Sequence, residues 1–185
     1  MLIGLCGFAR SGKSVAASIL QERHGFSELS FASPIREFIR GLLMVDMPTF
    51  ETIKDKPHPL LSGKSPRFAM QTLGTEWGRH GISSTLWVDV CIQKARALMD
   101  SGTYVVVSDV RFDNEARAIR DAGGIIIRLH RSDIPRILEA THESESGITD
   151  TLVDIELHNN QDIQELHHKL QSILMFMRNK QQLCP

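Results

Sequence analysis

The segment LIGLC-GFARSGKS-VAASIL, residues 2–20, constrains the fold more than any other part of the chain. A short apolar run, a glycine-containing loop and an amphipathic stretch follow one another without a break. Gly7, Gly12, Lys13 and Ser14 match G-x-x-x-x-G-K-[ST] at every position. Glycines at those places let the backbone turn so that successive N–H groups face an anion. The start of the following helix adds partial positive charge. On its own the pattern also fits a glycine turn with a solvated lysine. Its place between a buried strand and a helix makes it a phosphate loop, with Arg10, Ser11 and the glycines lining it. Lys13 is then expected to reach the β- and γ-phosphates, and the Ser14 hydroxyl to ligate Mg²⁺.

The rest of the chain alternates strands with helices. The runs TYVVVSD and GGIIIRLH are β-branched and do not alternate, as expected of strands buried on both faces of a parallel sheet. FSELSF reads as a further strand. VDIELH alternates and suits a position near a sheet edge. Helices are expected over 12–22, from Ser33 as N-cap with Pro34 at the first helical position, over 65–81, over 84–100, between the two β-branched runs, and at the C-terminal end. In the 65–81 segment Met70, Leu73 and Trp77 form an apolar stripe, so Trp77 is expected in the core. Arg67, Gln71, Thr75 and Arg79 recur every four residues on another face. Residues 45–65 carry three prolines and read as irregular. The class is α/β.

Length and charge limit the partners. The 185 residues favour one domain, and a net charge of −1 gives no general attraction to nucleic acid. No apolar run approaches the roughly 20 residues needed to span a bilayer, and the first residues do not resemble a secretory leader, so a cytoplasmic location is expected. Three widely spaced cysteines offer no disulfide framework or metal-ligand pairing, and Cys6 and Cys91 fall at apolar positions.

A metal-bound phosphate needs an acidic partner at the end of a neighbouring strand, and Asp109 in VVVSD supplies it. The same residue could instead cap the helix that follows. Phe112 stands where a GTPase switch needs glycine, and no guanine-recognition motif occurs, so a signalling GTPase is disfavoured. Arginines cluster after the strand ends: Arg36, Arg40, Arg67, Arg79, Arg111, Arg131 and Arg136. Each alone is commonly a surface residue. Together with the loop they suggest a kinase acting on a small phosphorylated substrate, with Arg131 and Arg136 on a mobile lid.

The blocks GFARSGKS, FASPIREF, MQTLGTEWGR, VVVSDVRFDNEARAIRDAGG, HESE and DIELHNN together resemble the phage-type deoxynucleoside monophosphate kinases, a branch of the P-loop nucleoside-phosphate kinases. The resemblance implies a three-layer fold with a five-stranded parallel sheet covered by helices on both faces, an acceptor-binding region over about 33–100 and a lid over about 130–150. It implies ATP and Mg²⁺ as cofactors and a nucleoside monophosphate as substrate, with neither nucleic acid nor membrane as partner; it leaves room for a homodimer. Residues 7–14 would hold ATP. Asn160, with Asn159, would pass near the adenine. Arg36 would meet the acceptor phosphate, and Arg67, Gln71, Thr75 and Arg79 would line the acceptor site. Lys13, Arg111 and Arg131 would stabilise the transferred group, and Ser14 and Asp109 would hold the metal. A P-loop kinase for another phosphorylated metabolite, of the phosphomevalonate type, and a non-catalytic ATP-binding switch are the competing readings.

Overall fold

The computed structural model describes residues 1–132 and 147–182. Arg136 and the HESE stretch, and with them most of the expected lid, lie outside the described residues. The chain divides into two compact units, one formed by Met1–Leu29 with Lys94–Pro185 and the other by Ser30–Gln93.

In the first unit, β1 (Leu2–Cys6), β2 (Phe26–Leu29), β3 (Tyr104–Val107), β4 (Ile125–His130) and β5 (Ile155–His158) form one sheet in the order β2-β3-β1-β4-β5. Every pairing is parallel; Ile3 lies opposite both Val106 and Ile125, and Ile127 lies opposite Ile155. β1 is therefore central, and all five of its residues are buried, which explains an apolar run without alternation. β5 closes one edge, where the alternation of VDIELH placed it, and Leu157 is its buried residue. Ile3, Leu5, Ile127, Leu129 and Leu157 pack with Ala16, Ala17 and Leu20 of α1 (Lys13–His24) and with Leu166, Leu170 and Leu174 of α7 (Ile163–Gln182). The intervening positions face the other side, where Gly4 and Ile126 lie against Ile119 of α6 (Asp113–Asp121). Helices thus cover both faces, and Cys6 and Cys91 are buried as read. Among the described residues no helix is long and apolar enough to cross a membrane.

The second unit holds α2 (Ser33–Leu43), α3 (Met47–Ile53), a 3₁₀ turn at Pro59–Leu61, α4 (Pro66–Gln71) and a π-helix over Thr72–Ile82; α5 (Leu86–Asp100) begins in it. Its core is Ile39, Leu43 and Phe50, with Met70 and Leu73 against them.

Three details differ from the sequence reading. Ser33 is the first helical residue of α2 rather than its cap; Ala32 is the cap, and its N–H donates to Ser30 Oγ at 3.2 Å. The segment read as irregular contains α3, whose N-cap Asp46 accepts from the Thr49 N–H at 2.9 Å, with Pro48 in its first turn. The third concerns the helix after Ser65, which caps α4 by accepting from the Phe68 N–H. After one turn of α-helix the chain widens into π-helix, where bonds close to the fifth residue and a turn takes more residues. The three- and four-residue spacing then no longer defines one face. Trp77 is consequently 52% exposed instead of buried. It lies beside Trp87 and lines an apolar groove of about 360 Å³ with Leu61, Phe68 and Leu73. Trp87 Nε1–H donates to the Gly74 carbonyl at 2.8 Å and lies so close to Gly78 that a side chain there has no room.

Candidate active site

The loop between β1 and α1 takes its shape from three residues in backbone conformations unusual for L-amino acids: Gly7 at φ 134°, Arg10 at φ 64° and Gly12 at φ 102°. Neither glycine has room for a side chain. A Cβ on Gly7 would collide with the Leu129 carbonyl of β4, and one on Gly12 with the Asn159 carboxamide just beyond β5. The loop is thereby pressed onto the ends of the two neighbouring strands. Gly12 is also the N-cap of α1, and among the described residues no side chain caps that helix, so its first N–H groups are turned to the loop. Ser11 N–H donates to the Phe8 carbonyl at 3.2 Å, while Ser11 Oγ is buried without a partner among the described residues.

Lys13 leans back over this loop. Its Nζ donates to the Gly7 carbonyl at 2.7 Å and to the Phe8 carbonyl at 2.8 Å, using two of its three N–H groups. Burial first, and then the Arg111 cation, lower its pKa to about 8 against the opposing pull of Cys6 and Asp109. Arg111 and Asp109 both lie within electrostatic reach of Lys13.

Asp109 and Arg111 stand on the turn between β3 and α6. Asp109 does not cap α6; that position belongs to Phe112. The Val110 N–H donates to the Leu5 carbonyl at 3.1 Å and ties the turn to β1. The Glu115 carboxylate, 2% exposed, reaches back to accept from the Arg111 N–H at 2.8 Å and the Phe112 N–H at 3.1 Å. Glu115 thus fixes the turn that carries two of the expected site residues, a role the sequence reading missed. The signal was present: a glutamate at the third helical position is half of a capping box. Asp113, next on α6, accepts from the Thr149 N–H and Oγ1, which hold its carboxyl below the ordinary aspartate range.

Asn160 is exposed and its Oδ1 accepts from the Ser132 N–H at 2.9 Å. Its neighbour Asn159, 8% exposed, donates from Nδ2 to the Ser11 carbonyl at 3.0 Å. Asn159, not Asn160, is therefore the asparagine that touches the loop. Arg131, just after β4, is exposed.

In the second unit Arg36 is half-buried on α2, and Arg40 donates to the Val45 carbonyl at 3.0 Å, closing the end of its own helix. Arg67 pairs through Nε and Nη2 with the two oxygens of the Asp55 carboxylate. Gln71 is exposed at the end of α4, while Thr75 and Arg79 are half-buried on the π-helix, where four-residue spacing does not align them.

A dephospho-CoA kinase from Campylobacter jejuni superposes with a TM-score of 0.56 at 12% identity, covering 97% of this chain and 98% of that one. A sugar kinase from a Janibacter species gives 0.53 at 13%, covering 94% and 92%. At such identities the likeness is one of fold. The parallel sheet and the phosphate loop at the end of its central strand place the chain among the P-loop kinases in architecture.

The sequence narrows this further. The family described as deoxynucleotide monophosphate kinase matches residues 44–170. A protein of Acanthamoeba polyphaga mimivirus assigned as a deoxynucleotide monophosphate kinase is 35% identical over 183 residues, covering 92% of this chain and 94% of its own. The deoxynucleotide monophosphate kinase of Enterobacteria phage T4 is 27% identical over 80% of this chain and 63% of its own. The chain belongs to the deoxynucleotide monophosphate kinase family.

Proposed function

We propose that the protein transfers the γ-phosphoryl group of ATP to a deoxynucleoside 5′-monophosphate, giving the diphosphate and ADP. The observation that carries this reading is the Gly7–Gly12 cradle with Lys13 folded over it, in a chain of this family. Uncapped N–H groups at the start of α1 and the buried Ser11 hydroxyl suit phosphate oxygens. Ser14 and Asp109 offer the hydroxyl and carboxylate oxygens that Mg²⁺ prefers; bound there, the ion would neutralise charge on the phosphates.

The acceptor already carries an ionised phosphate, so one of its oxygens attacks the γ-phosphorus as the bond to the β–γ bridging oxygen breaks, and ADP leaves. No general base is required. The protein's task is to hold the phosphates in line and to balance their charge. Lys13 and Arg111 serve the transferred group, with Arg131 beside them in this proposal. The unit Ser30–Gln93 is proposed to bind the acceptor, with Arg36 and Arg79 meeting its phosphate, and Arg67, Gln71 and Thr75 lining the site. Trp77 offers a ring face to the base.

An assay of ADP release across the deoxynucleoside monophosphates, the ribonucleotides and phosphomevalonate tests this assignment. Stimulation by deoxynucleoside monophosphates is expected. Stimulation by phosphomevalonate alone would favour the other kinase reading, and tight ATP binding with no acceptor dependence would favour a switch.

Lys13 gives a pH prediction. In the unliganded loop it loses its proton near pH 8, whereas a polyphosphate beside it favours the ammonium. ATP binding therefore takes up a proton around that pH, and affinity falls as pH rises above about 8. Calorimetry in buffers of different ionisation enthalpy measures the uptake. The effect on stability has the opposite sign. A folded-state value below the ordinary 10.5 means that the unfolded chain binds more protons between the two values. This group's contribution to stability then rises with pH across that window.

A further inference from the structure

Asn159 lies just beyond β5, and nothing in G-x-x-x-x-G-K-[ST] refers to it. Its backbone N–H donates to the His130 carbonyl at 2.7 Å, carrying the β4–β5 pairing past the last strand residue. This fixes the side chain's origin. The carboxamide is buried, and Nδ2 donates to the Ser11 carbonyl at 3.0 Å. The same nitrogen fills the space that a side chain on Gly12 would need.

The consequence follows from the peptide group. In a trans peptide the carbonyl and the N–H of the next residue point to opposite sides. With the Ser11 oxygen turned toward Asn159, the Gly12 N–H is turned away from it. The left-handed φ of Gly12 leaves this peptide open to the reverse orientation, because glycine populates both signs of φ with comparable ease. We propose that Asn159 is the positioning residue that selects one orientation of the Ser11–Gly12 peptide, and so aims the Gly12 N–H at the donor nucleotide's phosphates. This role rests on the ATP reading of the loop. It differs from contact with the adenine, since the carboxamide is committed to the loop backbone.

The isosteric change Asn159→Asp replaces the donor by an acceptor facing the Ser11 carbonyl, and Asn159→Ala removes it. Both are expected to raise KM for ATP at least about tenfold, with KM for the monophosphate at saturating ATP changed less than twofold. A protonated aspartic acid regains an O–H donor. The ATP affinity of Asn159→Asp, relative to wild type, should therefore recover as pH is lowered toward 5, while that of Asn159→Ala should not. An unchanged KM for ATP in both variants overturns the proposal, as does an equal rise in both KM values with no pH recovery.

Should neither variant fold, the wild-type protein still decides. The Gly12 amide proton is expected to move downfield on addition of ADP, and an unmoved resonance in a protein that binds ADP overturns the role of Asn159 alone. A wild-type protein that binds neither ADP nor ATP overturns the ATP reading together with this inference.

Discussion

Lys13→Ala is expected to lower turnover by about 10²–10³-fold, the range for removing one cationic or hydrogen-bonding group that stabilises developing charge, while the protein stays folded. Lys13 makes its hydrogen bonds to the Gly7 and Phe8 carbonyls of its own loop, and its charge is already disfavoured there by burial and by Arg111. A residue whose charged form is held at a cost in the folded chain contributes little to stability in that form. Its removal should therefore leave the thermal midpoint unchanged or slightly raised. The pair of measurements, steady-state rate and thermal unfolding, separates a functional lysine from a structural one. A variant that loses stability and activity together would assign Lys13 to the scaffold.

Gly12→Ala should be damaging in a different way. At φ 102° an alanine is strained, and its methyl would collide with Asn159 Nδ2, which is held by its bond to the Ser11 carbonyl. Either the loop or the end of β5 must shift. Strain at φ and displacement of a buried carboxamide together are expected to cost about 2–4 kcal/mol, read as a loss in denaturant midpoint. ATP binding should be lost over the accessible concentration range. Gly25 offers the control. It too has a positive φ, of 71°, as the C-cap of α1, but nothing lies within 4 Å of its added Cβ. Gly25→Ala should therefore destabilise modestly and leave ATP binding intact.

The fold's first unit was legible because its signals are local and periodic. The unalternating apolar runs became the inner strands β1, β3 and β4, and the one alternating strand became the edge strand β5. The glycine loop announced its own geometry, since only glycine fits where β4 and Asn159 press on it. Three features were less legible, each for a physical reason. A helix as short as α3 has too few turns to show an amphipathic repeat, and only the Asp46 cap with Pro48 marks it. The π-helix changes the residue period itself, so a stripe counted at α-helical spacing put Trp77 inside when it stands half in solvent. Asn159 acts on the distant Ser11 carbonyl, and a side chain that bonds main chain across a fold leaves no pattern in the residue it bonds. Glu115, which bonds the backbone just before its own helix, did leave one as half of a capping box. Glu115 holds the turn bearing Asp109 and Arg111, and Asn159 the loop bearing Lys13.

The central claim is that the cradle holds the phosphoryl donor for a monophosphate acceptor. It is tested most directly by following the group itself, with ATP labelled in the γ-phosphate, Mg²⁺ and a deoxynucleoside monophosphate in a single turnover. The account predicts that the label appears in the β-phosphate of the deoxynucleoside diphosphate, in amount equal to the ADP formed. Label released only as inorganic phosphate, or ADP formed at a rate independent of every monophosphate offered, would contradict it.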